Sequence, residues 1–363
     1  MRCDNIKTWA IIGAGLGVII LLLAGCCDKK GPEPVQPKDY YVYFGDAEAS
    51  PNTYLRYNTG TCQLDSFDLP YNSWECGFGI SPDGKKMYLH PDGFIAEVSL
   101  ESLVVVAEHA ISIKEAHYNV VPREVLVSPD NRHLAIVSGY VHILDMADFS
   151  VVYADTQSVY KFGWFSDDGG MFLSSGRDSM DVTHVLELGL NGDYPVRKHY
   201  FDGGDPYRVI ASADNRRWFM LSYLGAGVSR FRVYDMPSES LLFSISMCPS
   251  NGDLEITPGG HYVFYSQPGS LLIGCPPPKY ITVFDVVANR IDRQIITFVD
   301  SLQLAGPIGE LCITPDGRHL VGVAFTIGQL FHYQINRQKV LNRLSFQGGI
   351  ARWPHSLACQ RKL

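Results

Sequence analysis

Glu124, Arg208, Asp253 and Glu310 share one offset. Each lies four residues before a serine or threonine that opens a recurring turn motif. His355 takes the same place when Cys359 is aligned with that serine, and Gly77 and Phe162 fill the two remaining positions. Carboxylates, a guanidinium and an imidazole in matching register could grip a polar ligand through charge-assisted hydrogen bonds. His355 with Glu310 could also form a proton-transfer pair, a more demanding arrangement. Just upstream stand Trp74, Tyr118, Tyr160, Tyr207 and Trp353, with Glu75, His117 and Lys161 among them. Flat apolar rings beside a few charges suit a ligand site, so these residues form the expected ligand-binding set. The competing expectation is that the charges merely solvate the end of a water-filled channel. In that case they are exposed, and each contributes only ~0–1 kcal/mol to stability.

Other chemistry leaves no trace. The chain has no H-E-x-x-H, no G-x-S-x-G, no Walker loop, no helix-hand calcium loop and no C-x-x-C-H, so no catalytic residue, metal or cofactor is expected. Asp167 and Asp168 fall inside one copy of the turn motif and read as turn-capping residues. The net charge of -8, without any basic run, argues against nucleic acid as a partner. Hydrophobic residues make up 46% of the 363, enough for a large core.

The elements that must position these side chains come from the motif itself. It occurs six times: SPDGKKMYLH at Ser81, SPDNRHLAIV at Ser128, SDDGGMFLSS at Ser166, SADNRRWFML at Ser212, TPGGHYVFYS at Thr257 and TPDGRHLVGV at Thr314. The steps between copies are 47, 38, 46, 45 and 57 residues, the length of a four-stranded propeller blade. Proline fixes φ at the first turn corner, Asp bonds the local backbone, and Gly or Asn accepts positive φ. An apolar run precedes each turn and another follows it, so each copy marks the hairpin between a blade's innermost strand and its second. The residues just before the motif are apolar throughout (Ile80, Val127, Phe165, Ala211, Ile256, Ile313). The stretches 140–154, 229–245 and 279–295 read as third strand, polar corner and fourth strand.

Upstream of the first copy, YYVYFG (40–45), NTYLRYN (52–58) and CQLDSFDL (62–69) read as three strands of a blade lacking its innermost one. The segment 353–363 can supply it. An open ring would leave bare sheet edges, so the expected fold is all-β: a seven-bladed propeller of four-stranded blades, closed by a C-terminal strand that completes the first blade. The S-P-D-G-[KR] turns and the VYD and VFD third strands resemble the YVTN and lactonase-like propellers, and WD-repeat propellers more distantly. The resemblance spans about residues 40–363. It implies fold more strongly than activity, because such propellers include binders, scaffolds and enzymes.

The N-terminus has a different character. Arg2 and Lys7 precede an uncharged run from Trp9 to Gly25, followed by Cys26 in the order Leu23-Ala24-Gly25-Cys26. This resembles a bacterial lipoprotein signal. The resemblance implies removal of residues 1–25, acylation of Cys26, and a proline-bearing flexible tether over 26–39 that leads into the domain at 40–363. Cys248 and Cys275 fall in loop classes sharing one propeller face and could form a disulfide outside the cytoplasm. Cys76, Cys312 and Cys359 read as core thiols. The functional expectation is a lipid-anchored, non-enzymatic propeller at the bacterial cell envelope, in the outer membrane or at the cell surface, binding a glycan, a peptide or an envelope protein. The alternative is a lactonase-like hydrolase working at the channel mouth; a third reading, a quinone or haem oxidoreductase, ranks lower because the sequence shows no cofactor attachment signature.

Overall fold

In a computed structural model, residues 40–46, 52–71, 77–91, 93–113, 124–180, 182–202, 204–224, 228–247, 252–266, 280–296, 309–324, 329–345 and 358–361 are described. The leader, Cys26 and the tether lie outside them. So do Trp74, Tyr118, Trp353, His355, Cys248 and Cys275.

Every regular element among the described residues is a strand, and every pairing is antiparallel. Strands β1 (Tyr40–Asp46), β2 (Thr53–Asn58) and β3 (Gln63–Asp68) lead into a second sheet. That sheet comprises β4 (Phe78–Ile80), β5 (Lys86–Leu89), β6 (Phe94–Ser99) and β7 (Val104–Ala110). Next come β8 (Glu124–Val127), β9 (His133–Val137), β10 (Gly139–Asp145), β11 (Val151–Phe165), β12 (Met171–Asp178), β13 (Thr183–Gly189) and β14 (Val196–His199), joined in one sheet of seven strands. Three four-stranded sheets follow. They are β15 (Asp205–Ala211), β16 (Arg217–Tyr223), β17 (Ser229–Asp235) and β18 (Ser240–Met247); β19 (Leu254–Ile256), β20 (Tyr262–Ser266), β21 (Tyr280–Asp285) and β22 (Arg290–Ile296); and β23 (Glu310–Ile313), β24 (His319–Ala324), β25 (Gln329–Gln334) and β26 (Lys339–Ser345). The last strand, β27 (Ala358–Arg361), returns to the first sheet and pairs with β1, from Tyr40 opposite Arg361 to Tyr43 opposite Ala358.

The turn motif behaves as its residues dictate. Gly84, Asn131, Gly169, Asn215, Gly260 and Gly317 occupy its fourth position, and all six have positive φ. The opening hydroxyl donates to the motif's Asp at 2.6 Å in five copies: Ser81 to Asp83, Ser128 to Asp130, Ser166 to Asp168, Ser212 to Asp214 and Thr314 to Asp316. Such side-chain bonds replace the backbone partners that a tight turn denies.

β11 departs from the sequence reading, which divides 151–165 into an outer strand, a loop holding Tyr160 and Lys161, and a new inner strand. The chain instead runs through without a break, pairing with β10 along its first half and β12 along its second. Residues 151–165 hold no proline, and the bend is taken up by register shifts beside Tyr160. Buried Asp155 accepts the N–H of Gln157 and of Ser158, which satisfies the backbone at the junction.

The core lies between successive sheets. Phe231 on β17 stacks on Tyr265 of β20 with ring centroids 4.6 Å apart. Tyr54 on β2 meets Phe78 of β4 edge-on. Val42, Phe44 and Tyr57 of the first sheet pack with Cys312, Val321 and Leu330 of the last four-stranded one. Each fully buried side chain of this size contributes about 1.5–3 kcal/mol. The result is a row of first strands in lateral contact: β4 beside β8, β8 beside β11, β11 beside β15, β15 beside β19, β19 beside β23, β23 beside β27, and β27 beside β4.

Candidate functional site

The matching register of the charged residues becomes a shared location because the first strands stand side by side. Arg208, near the start of β15, is the hub. Its Nε lies 2.8 Å from Asp253 Oδ1 and a terminal nitrogen lies 3.1 Å from Glu124 Oε1. The guanidinium carbon sits 4.8 Å above the Phe162 ring. A register shift in the β15–β16 pairing falls between Pro206 and Arg208.

The two carboxylates also tie strand to strand. Glu124 on β8 accepts the Gly163 N–H of β11 at 2.7 Å. Asp253 accepts the N–H of Leu254 at 2.8 Å and that of Leu311 on β23 at 2.9 Å. Glu124, Phe162, Arg208 and Asp253 thus meet directly, and the Glu310 charge acts on Arg208.

These groups are not solvated channel charges. The side chains of Arg208, Glu124 and Asp253 are only 12%, 7% and 4% exposed, so the expectation of exposed, dispensable charges is corrected. The physical reason is that these three side chains sit inside the row of first strands, where Arg208 lies between two carboxylates.

Two nearby carboxyls form no ion pair with a described residue. Glu255 lies two residues after Asp253, and Glu310 opens β23. Both keep some solvent contact, yet are largely surrounded by protein. Neither accepts a hydrogen bond from a described residue. Burial first, then the Asp253 charge, push both acids well above the ordinary carboxylate range. Burial also lifts Glu124 and Asp253, against the pull of Arg208. Arg208 stays charged: burial opposes its charge, but the surrounding carboxylates together outweigh that effect. The cluster is therefore one cation, two paired carboxylates and two further acids that burial pushes up. It can hydrogen-bond a polar ligand or transfer a proton. Among the described residues, no group of three or more His, Cys, Asp or Glu side chains is arranged to hold a metal ion.

Two aromatics of the expected set do not face a ligand. Tyr160 is fully buried, donates to Asp155 at 2.8 Å and lies 3.1 Å from His184 Nε2, while Lys198 pairs with the same Asp155 at 3.0 Å. Tyr207 is buried within β15, and its hydroxyl accepts the Gly252 N–H. Buried hydroxyls require such partners, and both rings are committed to holding backbone in place. Glu255 was missed by the offset reading. Its signal was the alternation Asp253-Leu254-Glu255, which puts both acids on one strand face. A second polar chain joins the last four-stranded sheet to the first: His319 Nδ1 lies 2.9 Å from His332 Nε2, and His332 Nδ1 lies 2.9 Å from the Tyr57 hydroxyl. Cys62 Sγ is 3.8 Å from the same Nδ1.

No protein-family model matches the chain, and no curated protein sequence does. Solved structures match over most of its length. A protein from Lactobacillus plantarum superposes with a TM-score of 0.62 at 13% identity, covering 89% of this chain and 99% of the other. A putative 6-phosphogluconolactonase from Bacteroides fragilis gives 0.58 at 11% identity, covering 90% and 98%. The Cps50 (Swd1) β-propeller domain from Myceliophteria thermophila gives 0.56 at 11%, covering 76% and 87%. The chain has an all-β propeller fold. At these identities the likeness establishes fold alone.

Proposed function

We propose that this chain is a lipid-anchored binding propeller of a bacterial cell envelope. Cys26 carries the lipid, residues 26–39 form the tether, and residues 40–363 form seven four-stranded blades. The count of seven is supported by β11, whose two halves serve as the outermost strand of one blade and the innermost of the next. The pairing of β27 with β1 and the cyclic contacts of the first strands support closure.

The observation that carries the binding reading is the pair of carboxyls, Glu255 and Glu310, that accept no hydrogen bond from a described residue, beside an Arg208–Phe162 stack. Both carboxyls keep some solvent contact, so a ligand hydroxyl, amide or amine can reach them and bond both. Titration of cell-envelope glycans and peptides against the full chain tests this. The double variant Glu255→Gln, Glu310→Gln should stay folded and bind about ten- to a hundredfold more weakly. Unchanged affinity in that variant would refute the site.

The raised Glu310 acid favours one second reading, a lactonase-like hydrolase with Glu310 as proton donor. Lactone opening by the wild type that disappears in Glu310→Gln would support hydrolysis over binding.

A further inference from the structure

One copy of the turn motif lacks its acid. In the other five the third residue is Asp, whose carboxylate takes the opening hydroxyl and also the N–H two residues further on. Those N–H groups belong to Lys85, Arg132, Gly170, Arg216 and Arg318, at 2.9–3.1 Å. The copy that opens at Thr257 has Gly259 in that place. Among the described residues, the Thr257 hydroxyl donates only to the Tyr262 carbonyl, at 3.4 Å, and the His261 N–H falls back on the Thr257 oxygen at 3.2 Å. The first distance exceeds the usual O–H···O range and the second is at the limit for N–H···O.

A cleft of about 530 Å³ opens at the same spot, between the β19–β22 sheet and the β23–β26 sheet. Thr257, Gly259 and His261 line it, and no member of the Arg208 cluster does. A Cβ on Gly259 would have only the His261 ring within 4 Å, at 3.0 Å from Cδ2, and that exposed side chain can turn aside. The space that Asp fills in the other turns is therefore open to the cleft.

The surroundings favour an anion. The segments 257–262, 285–293, 316–318 and 335–339, which line the cleft, hold Arg290, Arg293, Arg318, Arg337 and Lys339 against Asp285, Asp292 and Asp316, in a chain of net charge -8. The three carboxylates are already engaged. Asp316 serves its own turn and lies 3.8 Å from Arg318 Nε, Asp292 pairs with Arg293, and Asp285 accepts the Ala288 N–H at 2.8 Å. Arg293 lines the cleft over the Tyr262 ring, 5.2 Å from its centroid, and its buried Nε makes no hydrogen bond with a described residue.

We propose that this cleft binds an acidic side chain of a peptide or protein partner. The incoming carboxylate takes the place of the missing Asp: it accepts the Thr257 hydroxyl and the His261 N–H, as Asp316 accepts their counterparts in the next turn. Hydrogen bonds to an ionised acceptor are stronger than the long neutral ones they replace. A peptide suits the rest of the cleft, because the side-chain amides of Asn336 and Gln338 on the β25–β26 corner can each bond a peptide group. Val287 and Ile335 supply apolar wall beside them.

Fluorescence polarisation of the full chain with labelled, capped heptapeptide pools tests this. The central residue is Asp, Glu, Asn or Gln, and the flanks are random. The Asp or Glu pool should bind about tenfold or more tightly than its amide counterpart. Gly259→Asp supplies the carboxylate from within. It should abolish the preference while melting holds or rises, since five copies of the turn already carry that residue. A peptide held at the inner strands would not respond to it. Arg293→Gln should weaken the acidic pool several-fold. The proposal is overturned if neither acid is preferred over its amide, or if neither variant weakens the acidic pool. Tetragalacturonate that binds wild type and is lost in Gly259→Asp would assign the cleft to acidic saccharides and overturn the peptide.

Discussion

Replacing Arg208 with methionine keeps an apolar stem over Phe162 and removes the charge that holds Glu124 and Asp253. Each ion pair, at an effective dielectric near 20 and a charge separation of roughly 4 Å, attracts by about 4 kcal/mol, much of it offset by the loss of hydration. Removing one partner of a buried pair leaves the other charge stranded and typically costs about 3–5 kcal/mol. The backbone donors of Gly163, Leu254 and Leu311 remain in place and continue to serve both carboxylates. The expected loss is therefore at the lower end, ~3 kcal/mol.

Guanidinium denaturation followed by far-ultraviolet circular dichroism measures it. Adding Glu124→Gln and Asp253→Asn to Arg208→Met should restore most of the loss, because no buried charge is then left alone. The pH dependence has a definite sign. Burial already lifts both carboxyls in the fold, and without Arg208 only the backbone N–H donors oppose it, so the folded variant binds protons that the unfolded chain does not. Its deficit relative to wild type should shrink as pH falls from 8 to 5. A deficit below about 1 kcal/mol that does not vary with pH would refute the buried-hub reasoning, since it is the behaviour of exposed charges.

Acid should destabilise the fold through its buried histidines. Burial, followed by the neighbouring His319, pushes His332 down to about 3, and burial pushes His142 down to about 4. The unfolded chain binds protons at these residues near pH 6.5 while the folded one does not, so their stabilisation is full above that pH and is lost as pH falls. Between pH 7 and 5 each should forfeit about 2 kcal/mol. The raised Glu255 and Glu310 act in the opposite sense, so the comparison of wild type with His332→Gln at both pH values isolates the histidine. An equal acid response in the two proteins would contradict this account. Deleting residues 358–363 removes the strand paired with β1 and should abolish cooperative unfolding; unchanged melting would show that β27 does not hold the first sheet. Cys26→Ser should block fatty-acid incorporation in metabolic labelling, and equal label in the variant would sink the lipid anchor.

The sequence by itself determined the repeat, the turn chemistry and the register of the charged residues. These depend on residues within about ten positions of one another: proline and Asp at fixed steps, a residue that accepts positive φ at the fourth place, and apolar runs on both sides. That is why Gly84 and Asn131 could be read as turn residues, and why Glu124, Arg208 and Asp253 could be assigned one offset. The tertiary structure decided what that offset means. Arg208 forms ion pairs with two carboxylates 84 and 45 residues away in the chain, and neither composition nor local pattern reports whether such a charge meets a partner or water. The same holds for Tyr160 and Tyr207, which read as exposed rings until packing buried their hydroxyls against Asp155 and Gly252. The unbroken β11 and the cleft beside Gly259 arise from sheets set against each other, an arrangement fixed by the sum of many side-chain contacts between segments distant in sequence.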